Sequence, residues 1–492
     1  MSVYLAVDQS TSATKALLFA ATGELLDKVA LAHQQIYPRP GWVEHDADEI
    51  YRNTVQVLSE LVARHPDLAA HIACLSLTNQ RETFVIFDRH SGAPLSNAIV
   101  WQCRRGESIC SRLVAAGYEE RVHALTGLKI DTYFPAAKLR WLLDERPDLR
   151  TKLASGEALF GTIDTYLIYR LTGGRVYATD HTNASRTLFY DIHSLGWSAE
   201  LLDVFGVTAS RWPDIRASSA HFGETDLEGR LAQPLPICGV MGDSQAALFA
   251  QRCFVPGSAK VTFGSGSSVL MNIGDQPVLS PSGIVTAVGW VVDGAPVYAF
   301  EGITNFTGAT IAWLRDQLEL VTSVEETEAL AAAVADTDGV YLVPAFVGLS
   351  APYWRPDARA AIVGLSPGST RRHIVRAALE SIAYVINDVL KLMEEDAGVT
   401  LQHIHADGGA VRNRFLMQFV ADMTRRSVWA ARLPDLSALG AVFCGMVGAG
   451  AATLADLERL PASFDEYVPA MPEETAARLY AGWKRAVQQV LS

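Results

Sequence analysis

Apolar runs alternate with polar clusters along the first half of the chain. Residues 3–7, 72–77 and 235–241 are short apolar runs, each followed by a polar cluster, and each predicts a buried strand. Between the first two runs, residues 48–64 carry apolar side chains at helical spacing, which predicts an amphipathic helix. Buried strands that alternate with helices predict an α/β fold.

A hairpin with a polar tip occurs twice in the pattern. In the first half, predicted strands at 3–7 and 16–20 flank the polar tip DQSTSATK. In the second half, predicted strands at 259–263 and 269–272 flank the tip GSGSS. The repeat is one of structure and not of sequence, and it predicts two similar domains that face each other across a cleft.

The second half contains two further patterns. Residues 375–393 have apolar side chains at helical spacing, which predicts a long helix. Residues 407–410, Asp-Gly-Gly-Ala, separate a short predicted strand from a helix, and glycines there allow a ligand to approach the backbone closely. The run 436–455 is uncharged but rich in Gly and Ala and flanked by acids, so it predicts a buried helix and turn and not a membrane span.

Composition narrows the class of protein. A chain of 492 residues is too long for one core, and we predict domains at residues 1–250 and 251–492. The net charge of −13 argues against binding to a nucleic-acid backbone. The six cysteines are scattered and the N-terminus lacks a signal-peptide pattern, so we expect reduced thiols, a cytoplasmic protein and no membrane insertion.

Asp243 is the first candidate for chemistry, because it lies where a predicted strand ends and a helix begins. Ligands bind at the carboxyl ends of strands in α/β sheets, although an isolated aspartate there is also an ordinary helix cap. The hydroxyl-rich hairpin tips suit phosphate oxygens, and Asp8 beside hydroxyl groups suits Mg²⁺. No Walker A loop and no dinucleotide fingerprint occurs. The combination favours a phosphotransferase whose nucleotide lies in the second half.

Ten stretches in order carry a resemblance to a known family. The chain resembles the FGGY carbohydrate kinases, and among them is most similar to the members that phosphorylate glycerol. The resemblance implies an actin-like fold of two ribonuclease H-like domains, with ATP and substrate in the cleft between them. The stretches are DQSTSATK (8–15), GWVEHD (41–46), NQRET (79–83), NAIVWQCRR (97–105), GTIDTYLIYRLT (161–172), TNASRT (182–187), GDSQAALF (242–249), VPAFVGLSAPYW (343–354), LESIAY (379–384) and DGGAVRNRFLMQF (407–419).

The resemblance also implies roles for single residues. It makes Asp243 the catalytic base and assigns Mg²⁺ to Asp8 and Asp243. It assigns substrate binding to Arg81, Glu82, Trp101, Tyr133, Asp243, Ser244 and Ser268. It assigns ATP binding to Ser10, Thr11, Ser12, Lys15, Ser265, Gly266, Gly308, Gly409 and Asn413.

Several positions depart from the family pattern, and three of them bear on the substrate and the phosphates. Ser244 stands in place of a glutamine, Ser268 in place of an aromatic ring, and Lys15 in place of an arginine. We therefore expect ATP-dependent phosphorylation of a small polyol, with glycerol giving glycerol 3-phosphate as the first expectation. The alternative is a four- or five-carbon polyol or ketose: erythritol, threitol, erythrulose, xylulose or ribulose. A catalytically silent sugar- or nucleotide-binding regulator is the rival from another class, and the resemblance leaves a homodimer or a homotetramer open.

Overall fold

The computed structural model describes residues 2–492, and its first half is built around one twisted sheet. The strands of this half are β1 (Val3–Gln9), β2 (Ala13–Ala20), β3 (Leu25–Ala32), β4 (Glu44–His45), β5 (Ile72–Asn79), β6 (Phe84–Asp88), β7 (Ala98–Ile99), β8 (Ala158–Thr162), β9 (Ala178–Asp180), β10 (Tyr190–Asp191), β11 (Gly196–Trp197), β12 (Asp214–Arg216), β13 (His221–Thr225) and β14 (Leu235–Gly242). The helices are α1 (Ala47–Arg64), α2 (Pro66–Ala69), α3 (Glu107–Ala115), α4 (Glu119–Thr126), α5 (Pro135–Glu145), α6 (Pro147–Ser155), α7 (Ile163–Leu171), α8 (His181–Ala184), α9 (Ala199–Val204) and α10 (Asp243–Ala250).

The second half is built around another sheet. Its strands are β15 (Ala259–Phe263), β16 (Ser267–Gly274), β17 (Val285–Val292), β18 (Ala295–Thr304), β19 (Tyr341–Val343), β20 (Ala361–Val363), β21 (Ile404–Asp407), β22 (Val428–Ala431) and β23 (Phe464–Tyr467). Its helices are α11 (Gly308–Asp316), α12 (Glu326–Ala332), α13 (Arg371–Ala397), α14 (Arg414–Thr424), α15 (Leu436–Gly448), α16 (Leu454–Arg459) and α17 (Glu473–Leu491), and a 3₁₀ turn spans Gly409–Arg412.

The two sheets share one topology. The first has the order β13-β14-β5-β1-β2-β3, in which β1, β2 and β3 are antiparallel while β5 and β14 run parallel to β1. The second has the order β17-β18-β16-β15-β21-β22-β23, again with antiparallel strands on one side of its first strand and two parallel strands on the other. The structure therefore confirms the predicted α/β class and the predicted structural repeat.

The first hairpin tip is shorter than predicted. β1 and β2 continue past the expected strand ends, and Asp8 pairs directly with Lys15 across the two strands. Only Ser10–Ser12 remain as the turn, because the backbones of the polar residues on either side of it still pair in the sheet. Two other elements differ from the sequence pattern. The apolar run 98–101 favours a strand, which covers only Ala98–Ile99 in the structure. The helix-like run 245–250 is extended by two residues, so that α10 begins at Asp243.

Helices α10 and α15 join the two halves. α15 lies in the second half of the chain but packs on the first sheet, where a side chain on Gly445 would collide with Ser76. It crosses α10 so closely that a Cβ atom on Gly440 would lie 1.7 Å from the carbonyl oxygen of Ala246. The run 436–455 is thus a buried helix and turn, as predicted. Within residues 2–492, no helix combines the length and the apolar character that crossing a membrane requires.

Candidate active site

A cavity of about 750 Å³ opens between the two sheets. The carboxyl ends of β5 and β14 contribute its first-half wall, and strands β16 and β18 contribute its second-half wall. The predicted residues that line it are Thr11, Arg81, Glu82, Trp101, Tyr133, Asp243, Ser244, Gly266 and Ser268. The structure therefore brings all seven predicted substrate residues together with Thr11 of the first hairpin tip and Gly266 of the second.

Asp243 is the first residue of α10, and Gly242 before it is the helix cap. Its Oδ1 accepts a hydrogen bond of 2.7 Å from the amide of Ser244, and its side chain is 36% exposed to the cavity side. The free amides at a helix start favour a negative charge. Asp243 is therefore a partly exposed side chain in the cavity lining.

Arg81 and Glu82 converge although they are neighbours in sequence. Glu82 has a φ of 60°, the left-handed region that non-glycine residues seldom adopt, and this breaks the alternation of side chains after β5. As a result the Nε atom of Arg81 lies 3.2 Å from Oδ1 of Asp243 and 4.0 Å from Oε1 of Glu82. Both side chains are almost fully buried, so each needs a charged partner.

Two residues that sequence reasoning missed supply those partners. Arg186 follows α8 and its Nε lies 2.5 Å from Oε1 of Glu82. Glu301 on β18 accepts two hydrogen bonds from Arg81, at 2.7 and 3.2 Å, and lies 2.6 Å from Nη1 of Arg186. Arg186 lies within the quoted motif TNASRT, so a signal for it existed, whereas Glu301 is one charge in an apolar strand that belongs to none of the motifs.

The buried cluster has unequal effects on its two glutamates. Burial opposes ionisation of Glu301, but Arg186 and Arg81 outweigh it and lower its pKa to about 2. For Glu82 burial prevails, and its pKa is raised despite the same two arginines. The difference follows from contact, because Glu301 meets both guanidinium groups directly whereas Glu82 has one close ion pair. Glu301 is therefore the fixed anion that holds the two arginines.

An aromatic wall closes the first-half side of the cavity. The rings of Trp101 and Tyr133 lie 5.3 Å apart, and Trp101 Nε1 donates to the hydroxyl of Thr11 at 3.0 Å. The buried Lys138 donates to the backbone carbonyls of Val100, Trp101 and Tyr133. Burial lowers the pKa of Lys138 to about 7, while the three carbonyls match the three N–H donors of its ammonium form. Lys138 thus holds the backbones of Trp101 and Tyr133 in place.

Ser244 and Ser268 form a polar part of the cavity lining. Ser244 is the second residue of α10, and Ser268 lies on β16 opposite Ile303. Within the part of the chain that the structure describes, the buried Oγ atom of Ser268 has no hydrogen-bond partner. A buried hydroxyl without a partner is costly, so a ligand or water at this position would be stabilised by it.

Asp8 and Lys15 form an ion pair at the base of the first hairpin. Lys15 Nζ lies 3.0 Å from Asp8 Oδ2 and 3.2 Å from Asp435 Oδ1. Burial raises the pKa of Asp8, Lys15 lowers it, and the nearby charge of Asp243 raises it further. Ser10 and Ser12 lie at the turn itself, where Ser10 Oγ donates to Ala13 O. The charge of one predicted metal carboxylate, Asp243, thus raises the pKa of the other, Asp8.

Two of the predicted nucleotide residues of the second half, Ser265 and Gly308, lie at one turn. The amides of Gly308 and Ala309 at the start of α11 donate to the carbonyls of Gly264 and Ser265. A Cβ atom on Gly266 would lie 2.3 Å from Thr304 O, so only glycine fits there. The turn and the start of the helix therefore form one rigid unit.

The Asp-Gly-Gly turn lies beside this unit. A Cβ atom on Gly408 would lie 2.4 Å from Phe263 O, whereas one on Gly409 would meet no atom within 4 Å. Asn413 caps α14 by accepting from Leu416 N, and its amide donates to Thr327. Ser265, Gly308, Gly409 and Asn413 thus do not line the cavity. Their roles in ATP binding stay predictions.

A buried carboxyl group, Asp164, lies behind the site. It accepts a hydrogen bond of 2.6 Å from Thr179, and burial together with the nearby charge of Asp180 raises its pKa to about 7. Between the ordinary aspartate pKa and about 7, the unfolded chain releases this proton while the folded protein keeps it. The free energy of unfolding is therefore highest with respect to this group at low pH, and it falls as pH rises through this window.

Asp164→Asn should therefore stabilise the protein more at neutral than at acid pH. The gain relative to wild type should grow by about 1.4 kcal/mol per pH unit up to about pH 7 and then level off. Melting temperatures of both proteins from about pH 5 to about pH 8 measure it. Asp203→Asn, at an exposed carboxylate, is the matched control. A difference for Asp164→Asn that does not vary with pH would contradict the prediction.

Comparison with known proteins places this geometry in a family. Residues 3–250 match the N-terminal domain and residues 259–449 the C-terminal domain of the FGGY family of carbohydrate kinases. A glycerol kinase of Carboxydothermus hydrogenoformans is 47% identical over 98% of this chain and 97% of its own length. The crystal structure of Plasmodium falciparum glycerol kinase with ADP has a TM-score of 0.96 at 34% identity and covers 100% of this chain and 99% of that one.

More distant kinases share the architecture. A xylulose kinase of Rhodospirillum rubrum has a TM-score of 0.89 at 24% identity, covering 99% of this chain and 98% of that one, which shows the fold alone. The expected fold, two ribonuclease H-like domains with a cleft between them, is thereby confirmed. The chain belongs to the FGGY family of carbohydrate kinases.

Proposed function

We propose that this protein transfers the γ-phosphoryl group of ATP to glycerol and forms glycerol 3-phosphate and ADP. The observation that carries the proposal is the arrangement of Asp243 beside the buried pair Arg81 and Glu82, opposite the aromatic wall of Trp101 and Tyr133. A carboxylate acceptor, paired donors and acceptors for neighbouring hydroxyls and an apolar wall match a short polyol. The glycerol kinases at 47% and 34% identity support the same substrate.

Each group has a distinct part in the proposed reaction. Glu82 accepts a hydrogen bond from one hydroxyl of glycerol, and Arg81, which has more N–H donors than its protein contacts use, donates to another. The oxygen of the terminal glycerol hydroxyl bonds to the γ-phosphorus, and Asp243 accepts the proton of that hydroxyl. The bond between the γ-phosphorus and the bridging oxygen of the β-phosphate breaks, which releases ADP. Phosphoryl transfer has a loose transition state, so positioning and neutralisation of charge supply most of the catalysis.

We infer that ATP lies between the two hairpin tips. Ser10, Thr11, Ser12 and Lys15 would face its phosphates from one side, and Ser265 and Gly266 would face them from the other. Gly308, Gly409 and Asn413 would surround the rest of the nucleotide, and the open space at Gly409 supports this. The Plasmodium falciparum glycerol kinase structure, which is one with ADP, supports a nucleotide in this fold.

The donor set also fits Mg²⁺. Burial raises the pKa of the Asp8 carboxyl, the negative charges of Asp243 and Asp435 raise it further, and Lys15 offsets them. Mg²⁺ commonly takes one or two carboxylates and completes its shell with water and phosphate oxygens. When bound, the ion would neutralise charge on the phosphates of ATP.

Asp8→Asn should weaken the use of Mg²⁺. Loss of one carboxylate should raise the Mg²⁺ concentration for half-maximal rate by about 10- to 100-fold. The measurement is ADP release against Mg²⁺ concentration at saturating ATP and glycerol. Asp435→Asn is the matched control, because it removes the other carboxylate partner of Lys15 and leaves Asp8 in place. Equal shifts in both variants would show that the loss of a Lys15 partner, and not of a metal ligand, causes the change.

A longer substrate is the second candidate, and the unpartnered hydroxyl of Ser268 favours it. An additional hydroxymethyl group could reach Ser244 and Ser268, which line the same cavity. Sites that hydrogen-bond a substrate hydroxyl discriminate against analogues without it by as much as about 10⁴-fold. We place glycerol first because the Arg81–Glu82 pair and both aromatic rings line the cavity as the resemblance implies.

The test is kcat/KM from ADP release with glycerol, erythritol, threitol, erythrulose, xylulose and ribulose. We expect glycerol to give the highest value in the wild type. Ser244→Gln combined with Ser268→Phe should lower the KM for glycerol and lower kcat/KM for any longer acceptor. A longer acceptor that exceeds glycerol in the wild type would overturn glycerol as the substrate. No ADP release with any acceptor would instead support a binding regulator.

We propose that the enzyme acts in the cytoplasm as a homodimer or homotetramer, with no nucleic-acid partner. The net charge of −13 supports the proposal that no nucleic acid is a partner. The exposed apolar side chains of Val347 and Leu365 on the second half support a subunit contact, since they are 59% and 56% accessible.

A further inference from the structure

Asp180 is a fully buried carboxylate behind the cavity, and it collects five hydrogen bonds. Its donors are the amide and hydroxyl of Thr182, the amide and side-chain nitrogen of Asn183, and the hydroxyl of Ser218, at 2.8–3.0 Å. Capping the four-residue helix α8 uses only the two amides. The side-chain donors must therefore serve something else.

The hydroxyl of Thr182 connects Asp180 to the strand that ends at Asp243. Because its single hydrogen points to Asp180 Oδ1 at 2.9 Å, the oxygen presents a lone pair on its other side. That lone pair accepts the amide hydrogen of Gly242 at 2.8 Å. Gly242 is the residue directly before Asp243, so the carboxylate of Asp180 orients the hydroxyl that holds the backbone of the catalytic base.

The amide of Asn183 connects Asp180 to the strand that leads to Arg81. The side-chain nitrogen of Asn183 donates to Asp180, and this bond fixes the orientation of the amide group. The same amide group exchanges two hydrogen bonds with the side chain of Asn79, at 2.9 and 3.1 Å. Asn79 ends β5, two residues before Arg81. It also pairs with Gly242 in the sheet. Both strand ends that carry the cluster are therefore tied to one buried anion.

We propose that Asp180 and Thr182 are positioning residues for phosphoryl transfer, and this rests on the role proposed for Asp243. Asp180 sets the direction of the Thr182 hydroxyl, which fixes Gly242 and thereby the place of Asp243. The Asn183–Asn79 bonds fix the end of β5 in the same way. The first connection controls the rate of transfer, and the second controls binding of the acceptor.

Thr182→Val and Thr182→Ser separate this role from packing. Valine keeps the shape but cannot accept the Gly242 amide, so kcat should fall by about 10- to 100-fold, while KM for glycerol stays within about twofold. Serine restores the hydroxyl and should restore kcat to within about threefold of wild type. Asp180→Asn disturbs both connections and should lower kcat and raise KM together. Hydrogen exchange at the Gly242 amide should be faster in the valine variant and not in the serine variant.

Thr172→Val is the matched control, because the buried hydroxyl of Thr172 likewise donates one hydrogen bond and accepts one, away from the cavity. It donates to the carbonyl of Ile168 and accepts from the amide of Val176. Its kcat should equal the wild-type value. Equal losses in Thr172→Val and Thr182→Val, or a serine variant as slow as the valine variant, would overturn the proposal. If the wild type prefers another acceptor, the glycerol assignment fails, and the same ratios measured with that acceptor still test the positioning role.

Discussion

Asp243→Asn should abolish most phosphoryl transfer, with kcat reduced by about 10²–10⁴-fold. Asparagine has nearly the same shape and can still accept the Ser244 amide through its oxygen, so the start of α10 should remain intact. It cannot take the proton of the attacking hydroxyl, and it also removes the negative charge 3.2 Å from Nε of Arg81. Steady-state ADP release with glycerol, and binding of glycerol by calorimetry, separate the rate effect from the binding effect.

Asp67→Asn is a suitable control for the Asp243 variant, since Asp67 lies in the first turn of a short helix and does not line the cavity. It should retain wild-type kcat. The thermal transition of the Asp243 variant should match that of wild type, because the side chain is partly exposed. A purified Asp243→Asn protein that keeps more than about a tenth of the wild-type kcat would exclude Asp243 as the base.

The local parts of the fold could be predicted because they depend on local physics. Apolar runs predict β1, β5 and β14, and the helical periodicity of residues 375–393 predicts the central part of α13, which extends from Arg371 to Ala397. The first hairpin tip was predicted too long. Polar residues suggested a turn, whereas backbone pairing of Asp8 with Lys15 extends both strands.

The buried ion cluster could not be predicted in the same way. The bonds between Arg81 and Glu301 join residues 220 positions apart, and no periodicity or spacing reports such a pair. Lys138 gave no signal either, because its acceptors are backbone carbonyls of Val100, Trp101 and Tyr133, which every sequence contains. Long-range partners become visible only when the two sheets are placed face to face.

The hydroxyl and amide orientations behind the site illustrate the same limit. The sequence TNASRT marks a region that resembles the family, but it does not say that Thr182 meets Gly242 or that Asn183 meets Asn79. These contacts depend on β9 and α8 lying behind the ends of β5 and β14. Sequence patterns thus predict the residues that face the ligand better than the residues that hold them.

Glu301→Gln should destabilise the protein and weaken acceptor binding at the same time. The change keeps the shape but leaves Arg81 and Arg186 with less negative charge in a buried site, where breaking an ion pair costs about 3–5 kcal/mol. Arg81 would then be held mainly by Asp243 and Gln245, which moves the guanidinium from the place of the substrate hydroxyl. A hydrogen bond to a charged group contributes about 1.5–3 kcal/mol, so KM for glycerol should rise by about 10- to 100-fold.

Glu380→Gln distinguishes the two consequences of the Glu301 change. Glu380 is equally buried, pairs with Arg376 at 2.8 Å and lies on α13 away from the cavity, so its loss should lower the melting temperature without changing KM for glycerol. Glu301→Gln should change both, because its partners Arg81 and Arg186 link the two halves at the substrate. A Glu301 variant that is destabilised but keeps the wild-type KM would show that this ion cluster only supports the fold, and that Asp243 and Gln245 suffice to position Arg81.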